Sequence, residues 1–237
     1  DGRGFVHAIS FSSDSRRLAV YLNSGKLVLL DVSPSGTVKL LGQVYHSSVV
    51  DVPVVVSGEA ALARGVSALD FSADGQFLAV SSLASEVYVY DTDNMKIHWK
   101  LPRLPAPISC IKFHPKDLST LAVLMASNRV MLFNIDSKRV SPWTQGAGSH
   151  IPSDISDIPA PLCGISFNQD NDNMFMLYGQ SAIVNVDTSK QVPDKIKTIS
   201  HNTNGTLVQK KRKRSDSEHM EEASANFALV STYKSVI

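Results

Sequence analysis

The chain has 237 residues but only two cysteines, Cys110 and Cys163, and no Cys-x-x-Cys spacing. A disulfide-built domain of this size would carry more, so the pair points to a reducing, intracellular compartment. No apolar run approaches the roughly 20 residues of a membrane span. The longest, SSVVDVPVVVSG at 47–58, is interrupted by Asp51 and Pro53. Charge of one sign is also missing: 23 cations stand against 22 anions, so no overall field recruits polyanions. The opening DGRGFVHAIS lacks both Met and a signal-peptide pattern, and the chain stops on STYKSVI. Both ends are expected to continue in a longer polypeptide.

Chemistry-bearing constellations are equally scarce. The seven histidines are scattered, with no pair at metal-ligand spacing. No Gly-x-Ser-x-Gly elbow, Walker loop or dinucleotide fingerprint occurs. Cys110 and Cys163 precede phenylalanines by three and four residues, in runs that read as inner strands, and are expected to be small buried hydrophobes. The expectation is a protein with no cofactor, no metal, no small-molecule substrate and no catalytic residue.

What is present is a repeat. Four segments, opening at His7, Ser67, Ser109 and Cys163, follow one plan. An alternating run ends in Phe; a polar turn, an apolar run, a second turn and a further apolar run closed by Asp or Asn follow. The anchors Phe11, Phe71, Phe113 and Phe167 precede Asp31, Asp91, Asn134 and Asp187 by 20, 20, 21 and 20 residues. In SALDFSADGQFLAVSSLASEVYVYD, the first run alternates with a strand's period of two. Asp74 and Gly75 supply turn chemistry, FLAVSSL reads as a strand buried on both faces, and EVYVYD holds strand formers. The recurring Asp31, Asp91 and Asp187 read as caps on strand-end turns. A fourth, more polar strand, such as TVKLLGQV or KIHWKL, suits an outer edge where charge discourages stray pairing.

One such unit cannot cover both faces of its small sheet, whereas radial stacking can. The fold class expected is therefore all-β, a WD-type β-propeller with about four recognisable four-stranded blades. The Phe anchors lie 60, 42 and 54 residues apart, against roughly 40–45 for a bare blade. Units are placed near 7–42, 67–104, 109–145 and 163–200, with insertions at 43–66, 141–162 and 191–226. FALVSTYKSVI at 227–237 reads as the opening strand of another unit, so the blades are expected to form part of a larger, seven-bladed ring.

The FSxDGxxLA pattern at Phe71–Ala79 and the VYVYD run ahead of a turn resemble the WD-repeat family. The family's tryptophan position is held here by Leu30, Tyr90, Phe133 and Val186, and no Gly-His dipeptide opens a unit. The family's Asp–His–Ser–Trp network is therefore not expected. Across 67–190, and in the Lys/Arg-rich insertion followed by FALVSTYKSVI, the chain resembles the C-terminal propeller of the cirhin family of tandem WD-repeat proteins. That resemblance implies a scaffold in the nucleolar small-subunit processome, with other WD-repeat proteins and pre-ribosomal RNA as partners. A ubiquitin-ligase substrate receptor and a direct RNA-binding propeller remain the alternatives.

Two features stand out as candidate contacts. Trp99 and Trp143 follow their closing anchors by eight and nine residues, in the expected outer strands. Each reads as a cover for the blade edge, and Trp143, beside a Pro/Gly/Ser-rich insertion, as a candidate partner contact. The basic tract Lys210, Lys211, Arg212, Lys213 and Arg214 reads as a hydrated surface loop, a nuclear-targeting patch or a phosphate contact. Ser215 and Ser217 lie among Asp216, Glu218, Glu221 and Glu222 and are candidate phosphorylation sites.

Overall fold

A computed structural model describes residues 6–22, 25–45, 66–82, 85–145, 161–180, 182–189 and 227–232. They form four antiparallel sheets of four strands, as the all-β expectation requires. The first sheet holds β1 (Val6–Phe11), β2 (Arg17–Leu22), β3 (Lys26–Val32) and β4 (Val38–Tyr45) in that order. The second holds β5 (Val66–Phe71), β6 (Phe77–Ser82), β7 (Val87–Asp91) and β8 (Lys96–Lys100). The third holds β9 (Ile108–Phe113), β10 (Thr120–Met125), β11 (Val130–Asn134) and the short β12 (Arg139–Val140), followed by the one-turn helix α1 (Pro142–Gln145). The fourth holds β13 (Leu162–Phe167), β14 (Met174–Gly179), β15 (Ala182–Asp187) and β16 (Phe227–Thr232). β1, β5, β9 and β13 stand next to one another as the inner strands.

The turn chemistry after each Phe anchor repeats in atomic detail. Ser12 donates from its hydroxyl to Asp14 (2.6 Å), while Asp14 accepts from the Arg16 N–H (3.0 Å). Ser72, Asp74 and Gln76 make the same pair of bonds at 2.6 and 3.1 Å. Gly75, at φ 72°, takes the left-handed position that favours glycine. In the third sheet the His114 ring does the work of the serine, and in the fourth the Asn168 carboxamide does so. The closing anchors also cap turns: Asp91, Asn134 and Asp187 accept from the Asp93, Ser137 and Ser189 N–H groups.

The core lies between sheets. Ala19, Tyr21, Leu27 and Leu29 of the first meet Phe71, Leu78, Val80, Tyr88 and Tyr90 of the second. Ala79, Val87 and Val89 then meet Ile111, Phe113, Leu121, Val123 and Phe133. Ala122, Leu124, Val130 and Leu132 meet Ile165, Phe175, Leu177, Val184 and Val186. In the second and third sheets, which have a neighbour on each side, the second and third strands are buried almost throughout. That explains their nearly continuous apolar sequence, whereas β2, β3, β14 and β15 alternate between buried and half-buried.

Three expectations are corrected. Phe227–Thr232 does not open a further unit; it pairs antiparallel with β15, Phe227 opposite Val186, as the outer strand of the fourth sheet. The edge of β15 has unpaired backbone groups that need an outer strand, and a long insertion hides that partner from a local reading. The fourth unit therefore takes its last strand from beyond residue 200, and the basic tract falls in sequence between its third and fourth strands. Trp143 belongs to α1 and not to an outer strand, because β12 ends after two residues. There the Thr144 hydroxyl takes the place of a strand and accepts from the Leu132 N–H (2.8 Å). Cys163 is exposed and Cys110 half-buried, Cys110 lying at the hollow shared by the inner strands.

Candidate interaction surfaces

The inner strands form an open hollow of about 380 Å³ lined by Ala8, Ile9, Asp70, Cys110, Lys112 and Ile165, among others. Asp70 crosses it from β5 to β9. Its carboxylate accepts from Lys112 Nζ at 2.6 Å and from the Phe113 N–H at 2.7 Å. Burial pushes the Asp70 carboxyl up, although Lys112 and the Phe113 N–H work in the opposite direction. Cys110, desolvated on the neighbouring strand, is likewise pushed up and held in its thiol form. This pin between blades was missed in the sequence. The signal was there: Asp70 and Lys112 occupy the same position, just before the Phe anchor, in successive units.

A second cavity, of about 360 Å³, opens between the third and fourth sheets at the end bearing the β9–β10 and β13–β14 turns. Leu132, Phe167 and Phe175 give it an apolar floor, and Lys116, Asp117 and Asp172 form its rim. His114, buried at its base, packs edge-on against Phe167 with ring centroids 4.7 Å apart. Its Nδ1 accepts from the Lys116 and Asp117 N–H groups at 3.1 and 2.8 Å. That leaves Nε2 as the protonated nitrogen, donating to the Asp172 carbonyl at 3.1 Å. Lys116 pairs with Asp172 at 2.9 Å across the junction. Burial works to raise the Asp117 carboxyl, but hydrogen bonds from Thr120 and Ser119 together hold it below the usual range.

Among the described residues no sheet covers one apolar face of the first sheet. Ile9, Phe11, Leu18, Val20, Val28 and Leu30 share it by register. Phe11 is 51% exposed, whereas its counterparts Phe71 and Phe113 are 5% and 3% exposed because a neighbouring sheet covers them. The half-buried Trp143 packs edge-on against Phe175, centroids 6.2 Å apart, and so covers the junction between third and fourth sheets. Lys210, Lys211, Arg212, Lys213, Arg214, Ser215 and Ser217 lie outside the described residues. Among the described residues no group of three or more His, Cys, Asp or Glu could hold a metal.

No family model matches the chain. It is similar to U3 small nucleolar RNA-associated protein 4 of Schizosaccharomyces pombe, 22% identical over 187 residues, covering 78% of this chain and 26% of that protein. The mouse homolog of that name is 27% identical over 203 residues, covering 84% and 27%, and the human homolog 26% over 197 residues, covering 82% and 26%. The chain thus spans about a quarter of the length of these relatives. Among solved structures, the β-propeller domain of Myceliophthora thermophila Cps50 (Swd1) superposes with a TM-score of 0.54. It is 15% identical, and the match covers 81% of this chain and 54% of that one. The fold is therefore a β-propeller, and the chain resembles WD-repeat proteins of the U3-associated type.

Proposed function

We propose that this chain is a non-catalytic part of a WD-type propeller that scaffolds early assembly of the small ribosomal subunit. The observation that carries the reading is the extent of the likeness: at least 78% of the chain aligns with three proteins named for association with U3 small nucleolar RNA. The mechanism is positional. Four sheets locked by apolar junctions hold loops at fixed places on a rigid body, and the loops meet other WD-repeat proteins and pre-ribosomal RNA in the nucleus and nucleolus. Lys210–Arg214 acts as the nuclear-targeting or phosphate-contact tract, Ser215 and Ser217 as phosphorylation sites that tune it, and the exposed side of Trp143 as a partner contact. The uncovered face of the first sheet receives a further blade, as a seven-bladed ring requires. No membrane and no small-molecule substrate take part.

Affinity purification from nucleolar extracts tests this. The tagged protein is expected to recover U3 small nucleolar RNA together with WD-repeat proteins. Recovery of cullin-adaptor proteins without that RNA overturns the reading in favour of a ubiquitin-ligase receptor. RNA affinity that survives removal of Lys210–Arg214 and falls steeply with salt would instead place RNA contact on the folded surface.

A further inference from the structure

The three junctions between sheets are built alike at the turn end, except in one side chain. Arg17, Phe77 and Thr120 hold equivalent places at the start of β2, β6 and β10, opposite the closing anchors Asp31, Asp91 and Asn134. Each faces the next sheet, where the residue just after that sheet's closing anchor is Thr92, Ile135 or Thr188. In the first junction the Arg17 guanidinium donates to the Gly75 carbonyl (3.0 Å), to the Thr92 hydroxyl and to Asp93 (3.1 Å). In the second, Phe77 packs against His98, ring centroids 4.7 Å apart, and into the apolar cluster that holds Ile135. A hydroxyl thus receives a guanidinium, and an alkyl group receives a ring. The third junction breaks the match. Thr188 repeats Thr92: its N–H and hydroxyl donate to the Asn173 carbonyl at 2.8 and 3.0 Å, as those of Thr92 do to Gln76 at 2.9 and 3.0 Å. Thr120, however, is too short to cross, and its hydroxyl donates to Asp117 instead (2.7 Å). The groove of about 360 Å³ lies where an arginine side chain would otherwise run.

We infer that this groove receives an arginine side chain from a partner protein. The guanidinium donates to the Thr188 hydroxyl and the Asp172 carbonyl, the counterparts of the Thr92 hydroxyl and the Gly75 carbonyl in the Arg17 site. Asp172 precedes Asn173 as Gly75 precedes Gln76. Its carbonyl already accepts from His114 Nε2 at 3.1 Å and keeps a second lone pair, just as the Gly75 carbonyl serves both Thr92 and Arg17. The flat, weakly hydrated faces of the guanidinium suit a floor of Phe167 and Phe175. The rim carboxylates are not its ligands, since Asp172 pairs with Lys116 and Asp117 accepts from Ser119 and Thr120. They supply background charge only: among the lining residues two carboxylates stand against one ammonium, which leaves one negative charge. A lysine lacks the flat face and the forked donors. The inference goes beyond the scaffold reading and does not depend on which assembly the chain joins.

Titrating the isotope-labelled full chain with acetyl-Gly-Arg-Gly-amide, read by NMR, tests this. Saturable shifts are expected at the amides of Thr120, Asn173 and Thr188, with a millimolar Kd suited to a single side chain. The same peptide with Lys or Phe in place of Arg should bind at least about fivefold more weakly. Thr188→Val keeps the shape but removes the hydroxyl, and should weaken the Arg peptide at least about fivefold. Thr120→Arg puts the chain's own guanidinium in the groove and should abolish binding. Should Thr120→Arg fail to fold, Thr188→Val decides the matter. The inference is overturned by absence of saturation up to roughly 50 mM Arg peptide. Equal or tighter binding of the Lys or Phe peptide overturns it too, as does unchanged affinity in Thr188→Val.

Discussion

The residue after each Phe anchor differs in chemistry but keeps one duty. Ser12, Ser72, His114 and Asn168 all tie down the turn that follows, two through a hydroxyl, one through a ring nitrogen and one through an amide oxygen. Asp70 has a different duty, joining two blades through a charged pair and a backbone donor. Removing it in Asp70→Ala leaves the Phe113 N–H and Lys112 without that acceptor and should cost about 1–3 kcal/mol in urea unfolding. Asp70→Asn keeps an acceptor for the Phe113 N–H and should cost less. The carboxylates also set the pH response with opposite signs. Hydrogen bonds from Ser12 and Arg16 hold Asp14 below its ordinary 3.8, and Asp117 is held below it too. Their contribution is present above pH 3.8 and is lost as pH falls through their folded values. Asp70, raised by burial, contributes fully below pH 3.8 and loses that contribution as pH rises through its folded value. Thermal unfolding across pH 2–6 should therefore show a shallower acid limb below about pH 4 in Asp14→Asn/Asp117→Asn. Asp70→Asn should change the curve on the other side of that value.

At the scale of the element, one sequence position has two energies. Phe11, Phe71 and Phe113 end equivalent inner strands, yet only the latter two are covered by a neighbouring sheet. Phe71→Ala and Phe113→Ala are expected to cost about 3–5 kcal/mol each. Phe11→Ala in this chain should cost under about 1 kcal/mol, since the ring is already half in water. Equal losses at all three positions in denaturant titrations would mean that the first sheet's face is covered in solution. Turn positions, the alternation of β5 and the doubly buried second strands were legible in the sequence, because each follows from local chemistry and a short period. The outer strands were less legible. β12 stops after two residues and hands its hydrogen bonding to Thr144, while β16 comes from beyond a 37-residue segment.

At the scale of the molecule, the two ends of the sheet stack differ in charge. At the turn end ten described aspartates stand against seven cations, Arg16, Arg17, Lys39, Lys96, Lys116, Lys138 and Arg139, a net excess of three negative charges. At the opposite end of the described strands lie Lys26, Lys100, Arg103 and Arg129, with Glu86 paired to Lys100 at 3.1 Å. Partners meeting the two ends would therefore meet different electrostatics. Replacing Lys210–Arg214 by Ala is expected to abolish nuclear accumulation of a fluorescent fusion while leaving thermal unfolding unchanged. Unaltered nuclear signal would remove the targeting role from the tract.

The sequence by itself determined the repeat, the strand plan, the turn caps and the absence of a recognisable catalytic motif, because these depend on neighbours within about 20 residues. Only the tertiary structure decided which units touch, and with them the Asp70–Lys112 pin, the His114-based groove and the place of β16. Those contacts join residues 42, 58 and about 40 positions apart. Pairing over such separations is selected by packing and by open strand edges, and no local pattern encodes it.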